Sequence, residues 1–363
     1  MTNPAPGQVV LFGSGETSPS GRRIFDYVLR KLPSQPRIAL LETPAGFELN
    51  SSRVIGRVGD FICNRLQNYQ PRLSIVPARM RGTPFGPDNP EILQPILEAD
   101  LIFMGPGSPT YAVRQLKDSL AWQYLVARHY LGATLVLASA ATVAFSVCAL
   151  PVYEIYKVGE DLHWKEGLNF FGLYNLPIVF IPHWNNNDGG EELDTSRCFM
   201  GHSRFERLME MLPADLTILG IDEKTALIIE INEGTCHVIG LGGVTLIQRG
   251  GIHPQYFASG ESFPVDKYFP FEIPKFGIDI RTDILHQVDV AQAQIEANRQ
   301  AELNQTRRII PEEIPSEIQD LVAARQSARV RKDWRLADLL RQQIASLGWQ
   351  LIDTPEGTRA VKG

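Results

Sequence analysis

From residue 8 onward, short and wholly apolar runs alternate with amphipathic stretches, and this alternation constrains the chain more than any other feature of it. Gln8–Gly13 (QVVLFG), Arg37–Glu42 (RIALLE), Asp100–Met104 (DLIFM) and Ala133–Leu137 (ATLVL) read as strands buried on both faces. A strand with one wet face would alternate polar and apolar residues instead. The segments Arg22–Leu32, Ser51–Tyr69, Glu91–Glu98 and Thr110–Leu120 lie between them and carry helical spacing. Most strand ends meet Gly, Pro, Ser or Thr, which sharp strand-to-helix loops need. The order predicts an α/β fold, a three-layer, doubly wound, mainly parallel sheet with helices on both faces. Ligands of such sheets sit beyond the carboxyl ends of the strands, and the chemistry is to be sought there.

Further along, Ile178–Pro182 reads as a strand, Thr195–Leu212 as a helix, and Thr217–Gly220, Ala226–Ile231, Cys236–Leu241 and Val244–Gln248 as a run of strands. From about Gln255 to Ile280 the chain is rich in Pro, Phe and Tyr and suggests an irregular wrap. Thr282–Arg308 is polar and rich in Ala and Gln, the composition of an exposed linker helix. Residues 307–363 hold ten Lys/Arg against eight Asp/Glu, a balance of +2, which leaves −8 on the rest of a chain whose net charge is −6. The 363 residues exceed one average domain. The expected division is a hydrolase-like domain over 1–255, wrap and linker over 256–310, and a helical hairpin over 311–363.

Several function classes drop out. No apolar run approaches the roughly 18 residues of a membrane span, so no membrane contact is expected. The opening MTNPAPGQVV lacks the basic-then-apolar order of a secretory signal. Four cysteines without a CxxC pair speak against disulfides or a thiolate zinc site and for a cytoplasmic location. No His/Asp/Glu cluster has ligand spacing, so neither metal nor cofactor is expected. Gly13-x-Gly15 lacks the third glycine and the later acid of a dinucleotide loop.

Three short signals carry chemistry. In Leu137-Ala138-Ser139-Ala140-Ala141 a serine follows the ATLVL strand and precedes a helix. A nucleophile in a strained turn needs such small neighbours, although a small residue packing helix on sheet reads the same way. In Ile181-Pro182-His183-Trp184 a histidine follows a buried strand, suited either to a rigidly held general base or to a plain strand-end hydrogen bond. Gly220-Ile221-Asp222-Glu223-Lys224-Thr225-Ala226 sets two carboxylates between strands, either as a solvated turn or as the source of an acid that orients the imidazole. The loop Asn185–Glu192 (NNNDGGEE) fits a mobile lid or a solvated turn.

In that order the three signals resemble the cyanophycinase and aspartyl dipeptidase family of serine peptidases, built on a fold like that of class I glutamine amidotransferases. Gly13-Ser14-Gly15-Glu16, Glu42-Thr43-Pro44-Ala45, Phe103-Met104-Gly105-Pro106-Gly107-Ser108, Met200-Gly201-His202-Ser203-Arg204-Phe205-Glu206-Arg207-Leu208 and Gly220 to Leu227 carry the likeness, which covers about residues 8–250. It implies Ser139 as nucleophile, His183 as general base, Glu223 as its orienter, and the N–H groups of Gly107 and Ala140 as oxyanion hole. The implied substrate is a small peptide or amide, with Gly15, Glu16, Ser108, Arg204 and Arg207 as candidate contacts. Pro106 stands where the family has glycine and offers no N–H. A lost oxyanion donor costs about 3–4 kcal/mol of transition-state stabilisation. Leu137 and Ala141 likewise replace the usual elbow glycines. Amidotransferase chemistry would need a cysteine at position 139, and Cys148 suits a structural thiol.

The tail shows a second likeness. Leu336, Leu339, Leu340, Ile344 and Leu347 recur at helical spacing before Gly348. The string from Arg325 through Ala328, Arg329, Lys332, Asp333, Trp334, Ala337, Asp338 and Arg341 to Leu347-Gly348 and Leu351–Thr358 resembles the C-terminal segment of cysteinyl-tRNA synthetases. That implies RNA contact, with Arg325, Arg329, Lys332 and Arg335 as candidates for phosphates, beside a plain packing module with helix-surface ion pairs such as Asp338–Arg341. No HIGH-like or KMSKS-like string accompanies it, which excludes aminoacylation. The alternative to a hydrolase is a relative that lost its activity and serves as a binding or scaffold protein.

Overall fold

The structure, a computed structural model, describes residues 5–248, 253–274, 281–308, 315–354 and 357–362. Parts of the expected wrap (275–280), of the tail (309–314) and its Pro355 and Glu356 lie outside them.

Five parallel strands stand side by side in the order Arg72–Val76, Arg37–Leu41, Leu101–Met104, Thr134–Ala138 and Val9–Phe12. Thr225–Glu230, Thr235–Gly240 and Ser262–Pro264 extend the sheet antiparallel beyond Val9–Phe12, making eight strands. Alternate residues feed two separate cores, as the period of two along a strand requires. Val9, Leu11, Ala39, Leu41, Ile102, Met104, Leu135 and Leu137 join one. Val10, Phe12, Ile38, Leu40, Leu101, Phe103, Val136 and Ala138 join the other. Helices Pro19–Leu29 and Ser51–Arg65 pack the second face through Ile24, Phe25, Val28, Ile55, Val58 and Ile62. Pro90–Glu98, Pro109–Leu116 and Leu120–Tyr130 cover the first. The fold is therefore the three-layer α/β arrangement. A second sheet of four strands runs Gln255–Ala258, Gly243–Gln248, Thr217–Ile221, Ile178–Ile181.

Three readings need correction. The expected helix over Thr195–Leu212 begins only at Gly201, because Arg197, Cys198 and Phe199 all have left-handed φ, at 57°, 57° and 67°. The wrap begins as strands, since Gln255–Ala258 pairs with Gly243–Gln248 and Ser262–Pro264 with Thr235–Gly240. In the tail, helices Ser316–Val330 and Trp334–Ser346 are joined by a ribbon of Trp349–Thr354 and Gly357–Lys362, with a small core of Ile318, Ile344, Trp349 and Ala360. Of the helical apolar stripe, Ile344 is buried while Leu336, Leu339 and Leu347 are exposed. So small a module fills its interior with few side chains.

Contacts divide the chain into two compact units, Met1–Ala293 and Gln294–Gly363. Among the described residues no helix is long and apolar enough to cross a membrane.

One buried histidine ties the first unit's stability to pH. His129 Nδ1 lies 3.2 Å from the Ala133 carbonyl, so it carries the proton, and Nε2, at 2.7 Å, accepts from the Tyr174 hydroxyl. Burial pushes its pKa down to about 3. The unfolded chain, with an ordinary histidine pKa of about 6.5, then binds a proton that the folded chain refuses between the two values. The stability is complete above pH 6.5 and falls as pH drops towards 3, by at most about 1.4 kcal/mol per pH unit. Thermal melts by circular dichroism should show that decline in wild type, and a shallower one in His129→Gln, which cannot take the proton.

Candidate active site

Three loops converge at the carboxyl ends of the strands. Ser139 follows the Thr134–Ala138 strand at φ 52° and ψ −108°, a strained turn that throws its side chain clear of the sheet. Thr142, one turn on, fixes the turn by donating to the carbonyls of Phe12 and Leu137, both at 3.1 Å. Leu137 and Ala141 are completely buried and their side chains join the core cluster on one face of the sheet. His183 follows the Ile178–Ile181 strand, also at φ 52°, and its N–H donates to the Gly13 carbonyl at 3.2 Å. Ser139 Oγ lies 2.8 Å from His183 Nε2, and His183 Nδ1 lies 3.1 Å from Glu223 Oε1. A carboxylate only accepts, so Nδ1 carries the proton and Nε2 is free to take one from the serine.

The two adjacent acids do different work. Asp222 is buried and its Oδ2 accepts from Gly243 N–H at 2.9 Å, which pins the second sheet. Glu223 faces the imidazole, and the hydrogen bond from His183 holds its carboxyl below the usual range, helped by Asn186 against the opposing effect of burial. Asn186 Nδ2 donates to the same Oε1 at 2.8 Å, and Asn185 Oδ1 accepts from Glu223 N–H at 2.8 Å. The loop read as lid or solvated turn is thus a clamp on Glu223 at its start, with Asn186 only 3 % exposed. Sequence reasoning missed both asparagines, whose one signal was adjacency to His183. It also missed Ser14, whose hydroxyl accepts from Lys224 N–H at 3.1 Å and ties the first loop to the acid loop.

A cavity of about 180 Å³ opens at Ser139, walled by Val143, Val152, Tyr156 and Phe199, with Lys157 as a cation on its lining. Gly107 and Ala140 line it too. Ala140 is the first residue of its short helix, where an N–H has no partner within the helix. Gly107 has φ 147°, and a Cβ there would sit 2.0 Å from the Pro44 carbonyl oxygen, so only glycine fits. Pro106 precedes it and leaves its N–H in place.

The remaining candidates scatter. Ser108 caps the Pro109–Leu116 helix and lines a neighbouring cavity. Gly15, at φ 77°, lies against Lys224. Glu16 interacts electrostatically with His183, while burial raises its carboxyl above the usual range. Arg204 gives its guanidinium to the carbonyls of Met200 and Phe199, at 2.6 and 2.9 Å, bracing the left-handed turn, and lies 6.0 Å from the Tyr156 ring of the cavity wall. Arg207 is exposed on the same helix and is not part of the cavity wall. Arg325 is buried and directs Nη1 at Thr358 Oγ1, 3.5 Å away, unlike a phosphate contact. Arg329, Lys332 and Arg335 are exposed. Cys198 lines the cavity, but burial pushes its thiol up to about 12, which keeps it protonated. Among the described residues no three His, Cys, Asp or Glu side chains gather as a metal site.

The architecture is that of a known peptidase. The crystal structure of a peptidase from an acI-B1 Actinobacterium superposes with a TM-score of 0.57 at 23 % identity, over 72 % of this chain and 98 % of that one. At that identity the shared property is the fold. No family model matches the chain. Cysteine–tRNA ligase of Chlamydia abortus is 50 % identical over 50 residues, 14 % of this chain and 10 % of the ligase, and that of Methanosarcina mazei 45 % identical over 51, 14 % and 11 %. The match fits the tail, and this chain spans about a tenth of the length of those curated relatives.

Proposed function

We propose that the protein is a serine hydrolase of the cyanophycinase and dipeptidase type that cleaves an amide or peptide bond through an acyl-Ser139 intermediate. The observation that carries this reading is the continuous chain of contacts from Ser139 Oγ to His183 to Glu223, at 2.8 and 3.1 Å, opening on a cavity whose lining includes Gly107 and Ala140. Ser139 Oγ attacks the carbonyl carbon as its proton passes to His183 Nε2. The carbonyl oxygen takes up negative charge beside the Gly107 and Ala140 N–H groups. The C–N bond then breaks and the proton moves from His183 to the leaving amine. Water attacks the ester, gives its proton to His183, and Ser139 regains its own as the acid departs. Glu223 stays ionised throughout and stabilises the imidazolium.

Fluorophosphonate labelling tests the nucleophile. Wild-type protein should be labelled on Ser139 and Ser139→Ala should not; equal labelling of the two removes Ser139 from the reaction.

For the tail, the ligase likeness and the exposed cations Arg329, Lys332 and Arg335 favour a second reading, contact with tRNA phosphates. Filter retention of tRNA should fall in the full-length triple Gln variant, and the slope of log K against log salt should drop by about 2–3. Unchanged retention ends that reading.

A further inference from the structure

Two cavities of the first unit meet at Tyr153, which lines both. The second, of about 530 Å³, is also lined by Ser108, the residue after Gly107. Gly107 on the lining of the first and Ser108 on that of the second are consecutive residues, so the two spaces are neighbours.

The lining of the second cavity joins three aromatic rings, Phe47, Tyr111 and Tyr153, to charged side chains that include Lys165 and Glu166 at its rim. Phe47 packs against Tyr111 with ring centroids 5.2 Å apart and against Tyr153 at 6.3 Å. Phe47 is nonetheless 44 % exposed and Tyr153 38 %, so large apolar surfaces turn to water beside the catalytic loop. Arg114 lies over the Tyr111 ring at 5.0 Å, which occupies its charge against the aromatic wall. Thr110 Oγ1 donates to Glu154 Oε1 at 2.5 Å, while Glu154 Oε2 is buried without a partner. The catalytic cavity, for its part, is walled by valines, Tyr156 and Phe199.

Resting on the hydrolase reading above, we propose that the second cavity is a second side-chain subsite. The substrate is then an extended peptide with large apolar or aromatic residues at two positions, one beside the cleaved bond and one on the Phe47–Tyr111–Tyr153 surface, rather than a dipeptide.

The test scans Phe through each position of capped alanine tetrapeptides and compares them with capped dipeptides, reading kcat/KM on full-length protein. Tetrapeptides with two Phe at one spacing should exceed the best dipeptide by about tenfold or more, as burial of one further large side chain allows. In Phe47→Ala that ratio should collapse towards one, through KM. Ser139-dependent cleavage with no tetrapeptide above the dipeptides, or a ratio that survives Phe47→Ala, overturns the subsite and leaves the hydrolase standing. Should wild type cleave nothing beyond Ser139→Ala, the hydrolase reading fails and binding decides the subsite. Polarisation of a labelled two-Phe tetrapeptide on Ser139→Ala should then weaken about tenfold when Phe47→Ala is added, and equal binding overturns the proposal.

Discussion

Replacing Ser139 by Ala should lower kcat by about 10⁶-fold, the scale known for a serine protease, and adding His183→Ala should cost almost nothing further. The reason is the 2.8 Å contact between Oγ and Nε2. In the proposed relay every later proton transfer through the imidazole follows from its first, taking the proton of that hydroxyl, so without the hydroxyl it has no task. The double variant should retain a rate about 10³–10⁴ above water, supplied by the Gly107 and Ala140 N–H groups and by substrate binding. Single-turnover assays on one peptide, with all variants folded by circular dichroism, measure this. Losses that multiply in the double variant would show two independent functions and break the proposed relay.

The second large effect falls on the acid. Glu223→Ala should lower kcat by about 10⁴-fold, since it removes both the orientation and the countercharge of the imidazolium. Glu223→Gln should be milder than Glu223→Ala, for a geometric reason. His183 Nδ1 and Asn186 Nδ2 both donate to the same oxygen, Oε1, so an amide oxygen placed there can still accept from both. What is lost is the charge, and a hydrogen bond to an ionised group exceeds a neutral one by about twofold. Asn186→Ala should cost less again, and should raise the carboxyl pKa of Glu223 in a ¹³C titration, because one of the donors holding it down is gone. A Gln variant as poor as the Ala variant would contradict this order.

Much of the sheet was legible because its strands are buried on both faces. Runs such as VVLF and LIFM leave no other reading, and the loops after them hold Ser139, Gly107 and Gly13. The Arg72–Val76 strand was not legible, since it lies at the sheet's edge with four of its five residues at least partly exposed and so lacks the apolar run. The Leu120–Tyr130 helix was missed for the opposite cause. It is buried nearly all round, so it has no polar face to set a helical period. Ser139, His183 and Glu223 stood out by their places after strands, whereas Asn185 and Asn186 act through a fold in the loop that no spacing announces. The spacing of Arg204 on its helix gives no hint that its donors go to the carbonyls of Met200 at the cap and Phe199 before it.

The left-handed run Arg197–Phe199 has a consequence for the cavity wall. Left-handed backbone costs about 1–2 kcal/mol for each such residue, and the turn is held by Arg197 stacked 3.8 Å over the Trp184 ring and by the Arg204 bonds behind it. Phe199 stands beside the imidazole, 5.6 Å between ring centres, so the cavity wall at that point is set by bonds of the turn itself.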